Sequence, residues 1–263
     1  PSRRSHNKKD ADARPLHLVS AFAAGLGVVL GQKATEEKSN EITAIPELLK
    51  TLALQGTIVT IDAMGTQTKI AETIRRGEAD YVLCVKDNHP NLLDSIMFAG
   101  LGPEGALQPC STDEVTATKP NHGRLEVRRC WAYDAVDRLY KHEQWKDIRS
   151  FAIIERERTQ DGRTSIERAY YISSLPADAA RLARAVRSHW EVENRLHWCL
   201  DVQLADDQSR TRSGFAANNL AIVRHIVMNL LRLNTTSKVG IKNKRLMASA
   251  SDEYRAEVLG FMT

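Results

Sequence analysis

The sequence predicts an α/β fold that is interrupted by a region of antiparallel strands. Between Thr57 and Val85 a strand, an amphipathic helix and a second buried strand follow one another, an order typical of parallel strands joined by a right-handed crossover. From about Cys110 to Ser174 apolar residues alternate with polar ones, which is typical of antiparallel strands with one polar face. We therefore expect a mixed sheet with flanking helices and a β-rich insertion.

The first hundred residues contain the elements of the α/β sheet. The segment "PLHLVSAFAAGLGVVLGQKATEE" has two apolar runs around a glycine-containing turn and predicts two antiparallel strands. A helix follows in "SNEITAIPELLKTLAL", with Ser39 as a possible N-cap and an end near Gly56. Next come a strand from Thr57 to Asp62, an amphipathic helix in "TQTKIAETIRRGEA" that stops at Gly77, and the buried strand "DYVLCV" with the loop "KDNHP" after it.

The second half of the chain predicts the inserted strands and then helices. Strands are expected in "EVTATK", "RLEVRRCWAY", "SFAIIERERT" and "IERAYYIS". After Pro176 the segment "ADAARLARAVRSHWEVENRLHWCL" predicts one long amphipathic helix, and "GFAANNLAIVRHIVMNLLRLN" predicts a second, strongly apolar one. The expected organisation is residues 1–108 as the first part of the core, 109–176 as the insertion, 177–236 as helices that complete the core, and 237–263 as a basic tail.

Composition is that of an ordinary soluble protein. The chain has 263 residues, a hydrophobic fraction of 42%, and no apolar run near the roughly 20 residues that cross a bilayer. Four scattered cysteines without C-x-x-C spacing disfavour a zinc ribbon or a disulfide scaffold, so we expect the cytoplasm. The net charge of +4 includes basic stretches near both ends, which are either solvated or suited to a polyanion. Because position 1 is proline, we expect a fragment or a processed product.

A candidate site begins at Asp62, where a run of β-branched residues ends in a carboxylate. Burying an unpaired carboxylate costs several kcal/mol, so Asp62 needs a partner. In α/β sheets, functional groups gather at the carboxyl ends of strands, which favours a cation ligand. The alternative is an N-cap for the helix that follows, because aspartate is a favoured capping residue.

A second candidate cluster lies in "RSHWEVENRLHWCLDV". His189, Glu193, His197 and Asp201 recur every four residues and are expected on one helix face, with Trp190, Leu196 and Leu200 on the adjoining apolar side. A solvated, salt-bridged face is the alternative. Glu193 together with Asp62 could hold Mg²⁺, which prefers carboxylate oxygens, and two such ions could promote phosphoryl transfer. Zinc bound by His189, Glu193 and His197 is a further possibility.

Several motifs, taken in order, resemble the DDE transposases of bacterial insertion sequences, in the ISAs or H-repeat-associated branch. The matching segments are "HLVSAF", "LGQ", "EKSNEITAIPELL", "TIDAMG", "DYVLCVKDNHPNL", "HGRLEVR", "HWEVENRLHWCLDV" and "DDQSRTR". The resemblance runs from about Arg3 to Leu233. It implies an RNase H-like fold with a β-rich insertion before the last catalytic helix.

The same resemblance implies the catalytic residues and the cofactor. The family's second aspartate matches Asp62 and its glutamate matches Glu193, and both would bind Mg²⁺, with Mn²⁺ as a substitute. The family's first aspartate lies in an Asp-Gly-Lys segment just ahead of an Arg-Arg-Ser run like the one at Arg3, so it is expected to be missing from this chain. Asp10 and Asp12 lie in a different context and are not candidates.

Contacts with DNA are implied at further matched positions. Relatives often carry Tyr, Arg and Lys around the glutamate, whereas this chain has Val186, His189 and Leu200 there, so neighbouring polar residues are the expected substitutes. The candidates for contact with DNA are Lys86, Asn88, His122, Arg124, Arg187, His189, Asn194 and Arg195.

The expected function is that of a transposase catalytic core, which hydrolyses a phosphodiester at the end of an insertion sequence and joins the freed 3′-hydroxyl to target DNA. The expected partner is double-stranded DNA, both element ends and target, in the bacterial nucleoid, bound by a homodimer. The alternative is a catalytically inactive remnant that still binds DNA, and the missing first aspartate is its main support.

Overall fold

The strands and helices are seen in a computed structural model that describes residues 17–35, 41–101, 107–119, 124–211 and 215–261. The strands are β1 His17–Ala23, β2 Val28–Thr35, β3 Ile58–Ile61, β4 Asp80–Val85, β5 Ser111–Lys119, β6 Arg124–Tyr133, β7 Ser150–Gln160 and β8 Arg163–Ser173. The helices are α1 Glu41–Leu49, α2 Thr68–Arg76, α3 Pro90–Leu101, α4 Ala179–His189, α5 Trp198–Leu204, α6 Ala216–Leu233, α7 Ile241–Ala250 and α8 Asp252–Val258. Ser39, the predicted N-cap of α1, lies outside the described residues.

Two sheets are formed by these strands. β1 and β2 pair with each other as the predicted antiparallel hairpin. The other six strands form one mixed sheet in the order β3-β4-β8-β7-β6-β5, in which only β3 and β4 are parallel. The strands expected as an insertion therefore continue the sheet that contains β3 and β4, because β8 pairs directly with β4. The hairpin was expected in that same sheet and instead forms a sheet of its own.

Contacts divide the chain into two compact units. The first unit comprises Pro1–Leu52 and Trp190–Thr263, and the second comprises Ala53–His189. The domain boundaries expected after residues 108, 176 and 236 stay a prediction. In the expected basic tail, the described residues form the helices α7 and α8.

The second unit consists of the six-stranded sheet with α2, α3 and α4. The helix α4 packs on β6, β5 and β3. Its buried residues Leu182 and Val186 join a core with side chains from the middle of the sheet, such as Val82, Cys130 and Ala152. Burying these apolar side chains stabilises the unit by about 25 cal/mol per Å² of apolar surface, and it fixes α4 beside the end of β3.

The first unit consists of the hairpin and the remaining helices. α6 packs on β2, with Met228 buried in a small core that also contains Val29 and Leu196. The side-chain amide of Asn229 donates to the Val29 carbonyl and accepts from the Val29 N–H, both at 2.8 Å. Asn229 thus gives the backbone N–H and C=O of Val29 the hydrogen bonds that a neighbouring strand would provide.

The predicted long helix is not continuous. α4 ends at His189, Trp190 is a turn, and a π-helical segment runs from Val192 to His197 before α5 begins. In this segment the Trp198 N–H donates to the Glu193 carbonyl, five residues back. The expectation that His189, Glu193, His197 and Asp201 share one face of a regular α-helix is therefore wrong, because the backbone between them does not keep α-helical spacing.

Among the described residues, no helix is long and apolar enough to span a bilayer.

Candidate active site

Asp62 lies directly after β3, at the carboxyl end of the strand. The chain then makes a short 3-10 turn from Ala63 to Gly65, and α2 begins at Thr68 with Gln67 as its N-cap residue. Asp62 stands at the N-cap position of the 3-10 turn, but its side chain makes no capping hydrogen bond. The interpretation of Asp62 as a helix cap is therefore wrong, and its carboxylate, with a side chain 80% exposed, is open to another role.

His189 is the partner of Asp62. Its Nε2 lies 3.1 Å from Asp62 Oδ1, and its Nδ1 lies 3.1 Å from the Thr60 hydroxyl. The carboxylate can only accept, so Nε2 carries the proton and donates to it, and in the neutral imidazole Nδ1 accepts from Thr60. The hydrogen bond from His189 lowers the pKa of Asp62; desolvation opposes this effect, and the charges of His189 and Lys86 add to it. Asp62 is thus held as a carboxylate.

The loop after β4 supports the turn that carries Asp62. Asn88 donates its side-chain N–H to the Ala63 carbonyl at 2.7 Å, directly after Asp62. Next to it, His89 Nε2 lies 2.6 Å from the carbonyl oxygen of Thr66, and the buried Thr66 hydroxyl donates to the Cys84 carbonyl at 2.6 Å. Asn88 was predicted to contact DNA, and in the structure its amide braces this turn.

Lys86 and Arg187 are exposed in the same unit. Lys86 is the first residue after β4, and its positive charge is one of the influences that lower the pKa of Asp62. Arg187 lies on α4 two residues before His189, and among the described residues its side chain has no hydrogen bond or ion pair. Of the other predicted residues of this unit, His122 lies outside the described residues, and Arg124 is described only as the first backbone position of β6.

Glu193 lies in the first unit, on the π-helical segment, with an exposed side chain. Its neighbours Asn194 and Arg195 are also exposed but make local bonds: Asn194 donates to the Trp190 carbonyl at 3.2 Å. Arg195 bonds Glu191 at 2.6 Å and the Ala24 carbonyl of the hairpin turn at 2.9 Å. Asn194 and Arg195 were predicted to contact DNA; that role stays a prediction.

The burial of the residues beside Glu193 differs in part from the prediction. Leu196 and Leu200 are buried as expected, but Trp190 is 50% exposed and Trp198 is 55% exposed. Trp190 was expected on the apolar side and does not lie there. Periodicity misassigned it because the turn at Trp190 and the π-helical segment change the rotation per residue.

The exposed carboxylate of Asp62 suits a hard cation such as Mg²⁺. One carboxylate oxygen accepts a hydrogen bond from His189, while the side chain is largely exposed, so the carboxylate is accessible to a metal ion. Within the described residues, no three His, Cys, Asp or Glu side chains are grouped so that they could hold a metal ion. The zinc site of His189, Glu193 and His197 is therefore not found, and His189 bonds Asp62 and Thr60 instead.

Comparison with known proteins identifies the family. Residues 1–230 match the family profile described as "Transposase DDE domain". The chain belongs to this family. The fold is accordingly the predicted one, a mixed α/β sheet of six strands with flanking helices, of the RNase H-like type.

Bacterial relatives of this DDE-domain chain are named as transposases. It is 40% identical over 248 residues to "Putative transposase YncI" of Escherichia coli O157:H7, covering 93% of this chain and 63% of the relative. It is 38% identical over 251 residues to "H repeat-associated putative transposase YhhI" of Escherichia coli K12, covering 93% of this chain and 65% of the relative. The chain thus spans a little under two thirds of the length of these relatives, and the H-repeat-associated branch is confirmed.

A solved structure shares the fold of this DDE-domain chain. It is described as the cryo-EM structure of the piggyBac transposase synaptic complex with hairpin DNA. The TM-score is 0.51 at 9% identity, and the match covers 97% of this chain and 50% of that one. At this identity the likeness shows the fold alone.

Proposed function

We propose that this DDE-domain chain supplies Asp62 and Glu193 to a metal-dependent transposase that cuts and joins DNA at insertion-sequence ends. The observation that carries the proposal is the exposed carboxylate of Asp62 at the carboxyl end of β3, hydrogen-bonded by His189, in a chain that belongs to the DDE transposase family. Family membership supports phosphodiester chemistry, and the placement of Asp62 supports its role in it.

In the first step a water oxygen would form a bond to phosphorus, and the bond from phosphorus to the 3′ oxygen would break, with a proton taken up by that oxygen. In the second step the freed 3′-hydroxyl would attack a phosphodiester of the target, releasing another 3′-hydroxyl. Mg²⁺, or Mn²⁺ in its place, would polarise the attacking and leaving oxygens when bound. Asp62 and Glu193 would hold the metal through their carboxylate oxygens.

The other residues of the second unit would position Asp62 and the DNA. His189 orients one oxygen of Asp62, so that the other oxygen keeps a defined direction. Asn88 fixes the turn behind Asp62 through the Ala63 carbonyl. Lys86 and Arg187 are exposed cations that suit the phosphates on either side of the cut. The partner would be double-stranded DNA, element end and target, bound by a homodimer in the bacterial cytoplasm.

Divalent-metal nicking of labelled element-end DNA tests the proposal. The chain would be compared with a version preceded by the family's Asp-Gly-Lys segment, each with Mg²⁺ or Mn²⁺. In the form that cuts, Asp62→Asn and Glu193→Gln should each abolish nicking, whereas Asp87→Asn, an exposed carboxylate of the loop after β4, should leave it unchanged.

Two results would contradict the proposal. Nicking that survives Asp62→Asn or Glu193→Gln would remove that residue from the catalytic set. If neither form cuts and both bind DNA, the chain is the inactive DNA-binding remnant.

A further inference from the structure

Both faces of the six-stranded sheet carry charged residues where the strands extend beyond α4. Neighbouring strands place cross-strand partners on the same face, and successive residues of a strand alternate between faces. Cys130 and Ala152 lie under α4, so the even-numbered positions of β6 and β7 share the α4 face. The odd-numbered positions, such as Arg129 and its partner Glu155, lie on the opposite face.

The opposite face has an ordered row of alternating charges. The row runs across four strands as Glu114, Arg129, Glu155 and Arg168. Each neighbouring pair is bonded: Arg129 bonds Glu114 at 2.9 Å and Glu155 at 3.1 Å, and Arg168 bonds Glu155 at 2.8 Å. Opposite charges across strands stabilise a sheet, so this face satisfies its own charges.

The α4 face places arginine beside arginine. In the neighbouring row the cross-strand partner of Arg128 is Arg156. The positive charge of Arg187, on α4, also repels that of Arg128. Burial lowers the pKa of the Arg128 guanidinium, and the positive charges of Arg187 and Arg156 lower it further, against the effect of Glu126. Like charges directly opposite one another are destabilising, so this arrangement costs the free protein stability.

Positive charge on this face exceeds what its glutamates can balance. Arg128 bonds Glu126, and Arg156 bonds Glu167. Arg158 shares Glu126, but its Nε is 3.7 Å from the carboxylate and, among the described residues, is a buried donor without a hydrogen-bond acceptor.

The arginines beyond these pairs are exposed. Arg163 continues the face at the start of β8, and Arg187 lies on α4. Neither side chain has a hydrogen bond or ion pair in the part of the chain that the structure describes. We call Arg128, Arg156, Arg158, Arg163 and Arg187 the arginine face. The described carboxylates on the same face are Glu126, Glu167 and Asp113, which leaves an excess of two positive charges.

We propose that the arginine face binds the phosphodiester backbone of double-stranded DNA. Arg128, Arg158 and Arg163 lie in three successive cross-strand rows of this face, each row two residues further along the strands than the one before. The three arginines therefore extend over about 14 Å along the strands. That is long enough to meet successive phosphates of one DNA strand, and the arginine fork matches phosphate oxygens. A bound polyanion would also relieve the repulsion between Arg128 and Arg156. The choice of DNA over other polyanions rests on the proposed function.

The test measures binding to a generic DNA duplex at several salt concentrations, in EDTA so that no cutting intervenes. The triple variant Arg128→Gln, Arg156→Gln, Arg187→Gln should lower the slope of log affinity against log salt by roughly three, since each lost phosphate contact removes about 0.9. The double variant Arg163→Gln, Arg187→Gln should lower it by roughly two. This second variant changes only exposed side chains without ion pairs, so its folding should be unaffected.

The opposite face supplies the matched control. Arg129→Gln with Arg168→Gln should leave the salt slope unchanged while lowering the thermal midpoint, because both arginines belong to the alternating row. An unchanged slope in the double Arg163, Arg187 variant would overturn the proposal, and so would an equal fall in the control. Lost binding to RNA or heparin with unchanged binding to the duplex would overturn the assignment to DNA.

Failure of the catalytic proposal would look different. Asp62→Asn should bind the duplex with the wild-type salt slope, because Asp62 is not part of the arginine face. Normal binding without nicking would therefore count against the catalytic residues and leave the arginine face intact. Normal nicking with an unchanged salt slope in the arginine variants would count against the arginine face and leave the catalytic residues intact.

Discussion

His189 holds Asp62 through a hydrogen bond from its Nε2 to the carboxylate, 127 residues away in sequence, at 3.1 Å. Thr60, two residues before Asp62, bonds the other ring nitrogen at the same distance. Strand, carboxylate and imidazole therefore form one chain of hydrogen bonds in the second unit. When the imidazole is neutral, the two bonds fix the tautomer with its proton on Nε2, and the ring cannot rotate without breaking both of them.

Replacing His189 should weaken catalysis by loosening Asp62. We expect His189→Ala to reduce nicking by roughly 10- to 100-fold, the usual effect of removing a side chain that orients a metal ligand. It should also raise the Mn²⁺ concentration for half-maximal activity. Thr60→Val should act in the same direction but less. Arg184→Gln, an exposed change on α4, is the control. Unchanged metal dependence in His189→Ala would show that His189 does not position Asp62.

Sequence patterns predicted the elements around Asp62 well. The strand β3, the helix α2 that stops at Gly77, and the buried strand β4 all lie where alternation, amphipathic spacing and glycine placed them. These signals are local, so a single sequence contains them. The strands β5 to β8 were predicted for the same reason.

What the sequence could not show depends on contacts between distant residues. The pairing of β4 with β8 joins Val82 to Ser173, so the strands expected as an insertion complete the main sheet. His189 was predicted to contact DNA. Its hydrogen bond to Asp62 was not predicted, because that bond depends on where α4 packs. The π-helical segment was missed because the spacing of apolar residues was interpreted with the period of a regular α-helix, which does not allow for an extra residue in a turn.

Gly27 in the hairpin turn should accept a side chain only with a loss of stability. Its φ is +72°, which strains any residue with a Cβ, and the guanidinium of Arg195 would have to move away from that Cβ. Arg232 also donates to the Gly27 carbonyl. We expect Gly27→Ala to lower the free energy of unfolding by about 1–2 kcal/mol for the left-handed backbone alone, measured by denaturant unfolding. Gly25→Ala, with open space around its Cβ, is the matched control and should be nearly neutral. Equal effects at both glycines would contradict the packing described for the turn.

Asn229 should be required for the docking of α6 on β2. Asn229→Ala removes both partners of the Val29 backbone, and Val29 is buried, so about 1–3 kcal/mol of stability should be lost for each group left unsatisfied. Hydrogen exchange at the Val29 amide should become faster. Asn219→Ala, an exposed position of the same helix, should change stability little. Unchanged exchange at Val29 in Asn229→Ala would disprove the contact.

His225 should make the first unit less stable in acid. It is buried on α6, and burial lowers its pKa from 6.5, while Asp206 opposes the shift and His197 adds to it. Above about pH 6.5 the histidine is neutral in both states and stability is complete. As the pH falls below that value, the unfolded chain binds the proton more readily, so stability declines toward the lowered folded pKa.

Replacing His225 by a hydrophobic residue should remove its contribution to the pH dependence of stability. His225→Leu should unfold with a weaker pH dependence than the wild type as the pH falls below about 6.5, as measured by thermal unfolding. Asn219→Ala, an exposed position of the same helix without a titratable group, should keep the wild-type profile. A pH dependence unaltered by His225→Leu would show that the buried imidazole titrates normally.

The proposed function requires that Asp62 and Glu193 bind one metal ion, and cleavage of the protein backbone by an iron ion in its place can show whether they do. With the chain bound to element-end DNA, Fe²⁺ replaces Mg²⁺ and peroxide generates radicals that cut the polypeptide next to the bound ion. We expect cuts near residues 62 and 193 that excess Mg²⁺ suppresses and that are both lost in Asp62→Asn. Cuts near 193 that persist in Asp62→Asn, or cuts near neither residue, would contradict it.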